Sequence, residues 1–469
     1  MKIASAREAA PTKRTPVIDV MLRASDERGS LSSLRTRRMR FAVMTSVVSK
    51  VATVAFQLLA IPVAINALGP DQYGAFLVVS SILAWISLGG LGVAPGVTGY
   101  VARAIGHDSA DEARQVITTG LVLSLATALA TAAIVAAVIL AMASGSFVEE
   151  FLEPSFLPFL PSMTAAMIVV AATGLIQFPT SVVQAARAGA LEQHISNVWR
   201  VVGTMVGVAG MFIVAVWAPT MVGFAMAMAA PSVVAGIADS IGFLVRHPEV
   251  APQASSFRAA LVRPLVRTGA GFLAFSVGGF LISGLSLVLA SGSIASSEIA
   301  AVGILLQLQA LGLGLVSMVA IPLWPSVAHA DATSDREWVV RAYHRLRRIT
   351  VAVGLLGAFG IVVILPIIAR PLFGESVSFD LGLTVPFAAL FVLACWGMSH
   401  AFVLFGLGAA GPVGILTIVQ GVLGLAILVL MADWLGAAVV GISALVSALL
   451  VTSWTLPMIL FRRLRPAGS

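Results

Sequence analysis

The chain has 469 residues, of which 59% are apolar and only 10% charged, and its formal charge is +7. Soluble domains carry about 25% charged residues, so this composition excludes a soluble globular protein and describes an integral membrane protein. The positive charge does not point to nucleic acid, because lysine and arginine in membrane proteins set orientation. The single cysteine, Cys395, excludes an intramolecular disulfide.

Residues 1–40 are polar and carry ten of the basic residues, Lys2 through Arg40. They predict a disordered basic cytoplasmic tail whose Arg35–Arg40 end meets anionic lipid. Apolar runs then predict helices over 41–67, 75–100, 114–142, 162–186, 197–217 and 221–245. The charge-free stretch 201–238 is too long for one crossing: at 1.5 Å per residue it would reach ~57 Å against a ~30 Å core. A Pro- and Arg-rich segment, 246–269, separates these six from a second set. That set covers 268–290, 299–326, 349–369, then 381–432 as two helices turning at Gly408–Pro412, and 436–460.

The two sets repeat each other. Val101-Ala102 returns as Val327-Ala328, at an offset of 226. Ser109-Ala110-Asp111-Glu112 and Ser334-Asp335-Arg336-Glu337 both read as S-x-x-E capping boxes, which satisfy free amides at a helix start. The fold class expected is therefore an all-α polytopic membrane protein. About twelve transmembrane helices form two six-helix lobes, 41–245 and 270–461, related as a parallel repeat. A cytoplasmic linker, 246–269, joins the lobes, and tails 1–40 and 462–469 flank them. With twelve crossings, every lysine and arginine except Lys50 and Arg370 falls on one side. That bias places both termini in the cytoplasm, in a bacterial inner membrane.

Few residues carry chemistry. No P-loop, metal-ligand spacing, nucleophile elbow or large outward domain is present, so neither an enzyme nor a cofactor is expected. Parallel repeats suit alternating access around a site between the halves. Lys50 lies ten residues past Arg40, ~15 Å into the first crossing, where a charge is a functional candidate by default. Asp239 sits ~10 Å in from Arg246, where an ion pair near the cytoplasmic end explains it better than a role in the cavity. Gln57, Gln307 and His400 are candidate cavity residues, with Asn66, Gln177, Gln184, Gln309 and Gln420 as further polar positions; each glutamine and asparagine is equally suited to joining helices, and a histidine placed like His400, near the end of its helix, more often serves in packing.

Leu68-Gly69-Pro70-Asp71-Gln72-Tyr73-Gly74, Tyr100-Val101-Ala102-Arg103-Ala104-Ile105-Gly106 and Asp111-Glu112-Ala113-Arg114 resemble the polysaccharide-repeat-unit flippases (Wzx type). These belong to the multidrug/oligosaccharidyl-lipid/polysaccharide exporter superfamily. The resemblance implies a V-shaped pair of lobes and a polyprenyl-diphosphate-linked oligosaccharide as substrate. It also implies membrane lipids, a polysaccharide polymerase and glycosyltransferases as partners. Lys50, with Arg103, Arg200 and Arg267 at the cytoplasmic rim, would hold the diphosphate. An ion-coupled multidrug and toxin extruder and a lipid II flippase are the alternatives.

Overall fold

In a computed structural model, the described residues are 28–69, 72–73, 75–76, 79, 92–143, 158–290, 296–368 and 379–464, and every regular element among them is a helix. The first lobe comprises α1 Arg28–Leu68, α2 Ala94–Gly106, α3 Ala110–Ala143, α4 Leu160–Gly189, α5 Gln193–Trp217 and α6 Met221–Arg246. The second begins with α7, Ala259–Phe280, which continues through a π turn at Leu281–Leu285 to Ala290. It goes on with α8 Ser296–Ala332 and α9 Arg336–Phe359, which runs into a second π turn at Gly360–Ile364. α10 Leu381–Gly406, α11 Ala410–Leu435 and α12 follow, the last in two parts, Ala438–Leu450 and Thr452–Leu464. Helices α3 to α12 are each long and apolar enough to cross a membrane. The chain is a multi-pass membrane protein.

The duplication holds at the level of packing. In the first lobe α1 packs on α5, α5 on α6, α6 on α4, α4 on both α2 and α3, and α2 on α3. Adding six to each label gives pairs that also pack in the second lobe. Each lobe is a six-helix unit, and the two follow one plan.

Four turns at one end of the bundle share one backbone design. The residues with positive φ are Asp108 (61°), Leu191 (60°), Ser334 (57°) and Gly408 (74°). Each donates its N–H to the carbonyl three back: Ile105, Ala188, Asp331 and Phe405. The next residue donates to the carbonyl five back: Ala104, Arg187, Ala330 and Leu404. This pairing closes the last carbonyls of a helix and restarts the chain at once.

The second capping box is corrected by one residue. Ser109 Oγ accepts from the Glu112 amide at 3.2 Å, as the pattern predicts. Ser334 is instead the left-handed turn residue, and Asp335 is the cap, its Oδ1 accepting from the Trp338 amide at 3.2 Å. Ser109 and Asp335 stand 226 apart, the offset of the Val-Ala pair. Asp335→Ala is therefore expected to cost about 1 kcal/mol, while Ser334→Gly relieves a left-handed serine and holds or raises the melting point. Thermal melts in detergent decide this; a larger loss in Ser334→Ala than in Asp335→Ala contradicts it.

Several helices start earlier than hydropathy predicts. α1 is helical from Arg28, inside the expected disordered tail, and α7 from Ala259, inside the expected linker. α9 starts at Arg336 rather than 349. The apolar signal stops at the membrane face, but these helices continue beyond it on amphipathic turns. In α9 that extension buries Trp338, Val339, Tyr343 and Leu346 among its arginines. Residues 1–27 of the expected tail lie outside the described residues.

The start of α1 and the end of α12 lie at the same end of the molecule. Met39 and Leu464 both pack against one cluster of the second lobe, which includes Trp324, Tyr343, Phe405 and Leu460. Arg38, Arg103, Arg187, Arg267 and Arg463 gather here, and it is called the basic end below. The lobes meet at this end through small residues of α2. A Cβ on Gly96 would lie 3.0 Å from the Leu265 carbonyl oxygen, one on Gly99 3.3 Å from the Trp324 ring, and one on Gly106 2.8 Å from Ala332 Cβ.

Candidate functional site

Two cavities flank the basic end, and the rim arginines divide between them. The first, about 400 Å³, lies where α2, α7, the α10–α11 turn and α12 converge. Arg263 and Arg267 of α7 line it with Arg463 of α12, Tyr100 and Thr268. Arg263 and Arg267 are exposed, and no carboxylate approaches either within 4 Å among the described residues. Arg103 borders the same region but is committed elsewhere. Its Nη2 donates to the Gly406 carbonyl at 3.0 Å, across the lobe boundary, and its guanidinium lies 5.6 Å from the Tyr100 ring. Arg463 Nη1 donates to the neighbouring Leu407 carbonyl at 3.2 Å. Both cations thus close the free, partly negative carbonyls at the end of α10. Arg38 does the same in the first lobe, reaching the Ala190 carbonyl at the end of α4 at 3.4 Å.

The second cavity, about 230 Å³, lies inside the first lobe between α4, α5 and α6. Gln177, Gln184, Trp199, Arg200, Ser232 and Asp239 line it. At its floor Asp239 forms a buried ion pair whose basic partner, Arg187, the sequence does not single out. Arg187 is 2% and Asp239 1% exposed. Arg187 Nε lies 3.1 Å from Asp239 Oδ1, and its Nη2 donates to the Asp239 carbonyl at 2.7 Å. Ser196 Oγ donates to Asp239 Oδ2 at 2.7 Å, and Phe243 places its ring 5.3 Å from the guanidinium.

The network continues toward the surface. Glu192, in the α4–α5 turn, lies 3.8 Å from Arg187 Nη1 and 3.4 Å from His247 Nε2. His247 Nδ1 lies 3.3 Å from Glu249, whose carbonyl accepts from Arg114 at 2.6 Å. Burial raises the Glu192 carboxyl, but the His247 hydrogen bond and the charges of His247, Arg187 and Arg38 outweigh it, leaving it below the ordinary range.

The remaining candidates separate. Lys50 is exposed. It lies eleven residues past Met39, three helical turns, and so shares the side of α1 that packs against the second lobe at Met39. Gln307 is exposed on α8, whereas the side chain of Gln57 lies outside the described ones. His400 lines neither of these two cavities. It is 1% exposed, and its Nδ1 is 2.9 Å from the Trp396 carbonyl, so that nitrogen carries the proton. Its Nε2 then accepts from the Tyr343 hydroxyl at 2.8 Å. It is a satisfied core histidine joining α9 to α10.

The chain matches no protein-family model and no curated relative. Solved structures do match. An outward-facing multidrug resistance MATE family transporter of the MOP superfamily is 17% identical, with a TM-score of 0.73 over 92% of this chain and 97% of its own. A MOP superfamily transporter from Pyrococcus furiosus, whose binding pocket is described as reversed in polarity, gives the same identity, coverage and TM-score. A MATE in a bent conformation is 18% identical, with a TM-score of 0.73 over 96% of this chain and 97% of its own. The two six-helix lobes described above therefore have the fold of the MATE transporters.

Proposed function

We propose that this chain is an alternating-access exporter of the multidrug and toxin extrusion kind, with its basic end in the cytoplasm. The observation that carries the reading is the fold shared along 92% of the chain with a multidrug resistance transporter captured facing outward. In this chain the α2 contacts between lobes lie at the basic end, which suits the same outward-facing arrangement. Export then requires that seam to part, admitting solute from the inside, and to close again behind it. These relatives in fold favour extrusion over the lipid-linked flipping that the sequence motifs suggest.

The flippase reading keeps one specific support, the cavity lined by Arg263, Arg267 and Arg463. Three guanidiniums without carboxylate partners suit a diphosphate better than a cationic drug. Two strains separate the readings. In a bacterium lacking its own efflux pumps, expression is expected to lower ethidium and norfloxacin accumulation. In a strain lacking its polysaccharide flippase, restored surface polysaccharide without any drug export would overturn the extrusion reading in favour of the flippase. Failure in both strains, at normal protein levels, contradicts export of either kind.

A further inference from the structure

Arg200 poses a problem that neither reading resolves. It stands seven residues into α5 from Gln193, ~10 Å along the helix, in a segment apolar enough to cross a membrane. A cation at that depth is retained at a cost and normally has a partner. Arg200 is exposed, and among the described residues no carboxylate lies within 4 Å of it; Asp239 acts on it only across the cavity. Asp239, the only acidic residue lining the same cavity, is already held by Arg187 and Ser196. The cavity lining thus holds one arginine, Arg200, and one carboxylate, Asp239, whose oxygens are already taken by Arg187 and Ser196.

The rest of the lining is suited to a polar organic molecule. Gln177 and Gln184 on α4 present amide donors and acceptors, and Thr180, Ser181 and Ser232 add hydroxyls. Trp199 supplies a flat apolar ring, the usual partner for the apolar face of a mixed ligand. Gly236 leaves room beside Gln184: a Cβ there would lie 3.0 Å from its Nε2. A volume of about 230 Å³ holds roughly seven waters at ~30 Å³ each, enough for a small ligand.

We propose that this cavity is a binding site for an organic carboxylate that also carries hydroxyl groups, its carboxylate gripped by Arg200. A guanidinium offers paired N–H donors that match both oxygens of a carboxylate, while Gln177, Gln184 and Ser232 read the hydroxyls and Trp199 covers the carbon frame. Asp239 is engaged by Arg187 and Ser196, so the lining offers Arg200 rather than a free carboxylate as its charged group. The proposal names a solute class for the exporter and rests on the transport reading only for what binding leads to.

The test is calorimetric titration of the full-length protein in nanodiscs with D-glucuronate, D-glucose, inorganic phosphate and tetraphenylphosphonium. Glucuronate is expected to bind saturably, and the other three far more weakly. Arg200→Gln is expected to weaken glucuronate roughly tenfold or more, with Arg200→Lys between it and the parent, while the melting point is unchanged. Gln184→Leu should narrow the gap in affinity between glucuronate and phosphate. No glucuronate binding by protein with an intact melting transition overturns the proposal, as does equal binding by Arg200→Gln. Tighter binding of phosphate or of tetraphenylphosphonium overturns the ligand class. Binding is read without transport, so glucuronate bound by a protein that exports nothing would sink the transport reading and leave this site standing.

Discussion

Arg187→Met is expected to destabilise the first lobe by about 3–5 kcal/mol, the usual result of removing one partner of a buried ion pair. The reason is what stays behind. Asp239 is 1% exposed, and without Arg187 its charge retains only the Ser196 hydroxyl at 2.7 Å. The Asp239 backbone carbonyl loses its 2.7 Å donor at the same time. Asp239→Asn should cost less, since the amide keeps Ser196 and leaves Arg187 with Glu192 at 3.8 Å and the Phe243 face. The double variant Arg187→Met/Asp239→Leu should regain much of the loss, because a buried pair replaced by apolar groups of similar volume is often near neutral. Melting curves of the parent and the three variants measure these losses. A loss under ~1 kcal/mol for Arg187→Met would mean that the pair is solvated.

Gly414→Leu is expected to prevent the second lobe from assembling. Helices α7 and α11 cross so closely that a Cβ on Gly414 would lie 2.2 Å from the Gly271 carbonyl oxygen and 2.8 Å from Ala274 Cβ. Two turns further along α7, a Cβ on Gly278 would lie 2.6 Å from the Thr417 carbonyl. Backbone meets backbone at both points, so no rotamer change makes room. Small residues at such crossings let membrane helices gain dispersion contact where no hydrophobic force draws them together. The loss should reach roughly 4 kcal/mol or more, seen as aggregated or degraded protein after extraction. Gly411→Ala, three residues away with nothing within 4 Å of its Cβ, is the matched control and should gain up to ~1 kcal/mol of helix propensity. Equal yields of the two variants would show that the crossing is looser than described.

Hydropathy and charge bias made the helix order legible because both act locally along the chain. The repeat was legible as well: the Val101-Ala102 offset of 226 fixes the equivalence that Ser109 and Asp335 later obey. The misplaced cap shows the limit of a short motif. Ser334 and Glu337 satisfy S-x-x-E, but a turn with a left-handed residue shifts the helix start by one position. Arg103 was read as a ligand group, yet its partner is a backbone carbonyl 303 residues away, and carbonyls leave no mark in a sequence. Arg187 stands two residues from the end of α4 and counts in the sequence only toward the charge bias. Its partner Asp239 stands seven residues from the end of α6, on a helix that packs against α4. A basic and an acidic residue near corresponding ends of two crossings were the available signal, and it could be used only once those helices were known to touch. In the sequence Arg200 groups with Arg103 and Arg267, but those two border a different cavity from the one Arg200 lines.

The account turns on the seam at the basic end opening. Gly106 of α2 and Ala332 of α8 meet there, with Cβ positions 2.8 Å apart, and the neighbouring His107 and Asp331 are exposed and open to labelling. Spin labels at these two positions, in Cys395→Ser protein reconstituted into vesicles, report the separation of the lobes directly by electron–electron dipolar spectroscopy. The account predicts two populations, one short and matching the closed seam, one longer, exchanging in weight as pH, membrane potential or added solute is varied. A single short distance under every one of those conditions would contradict it.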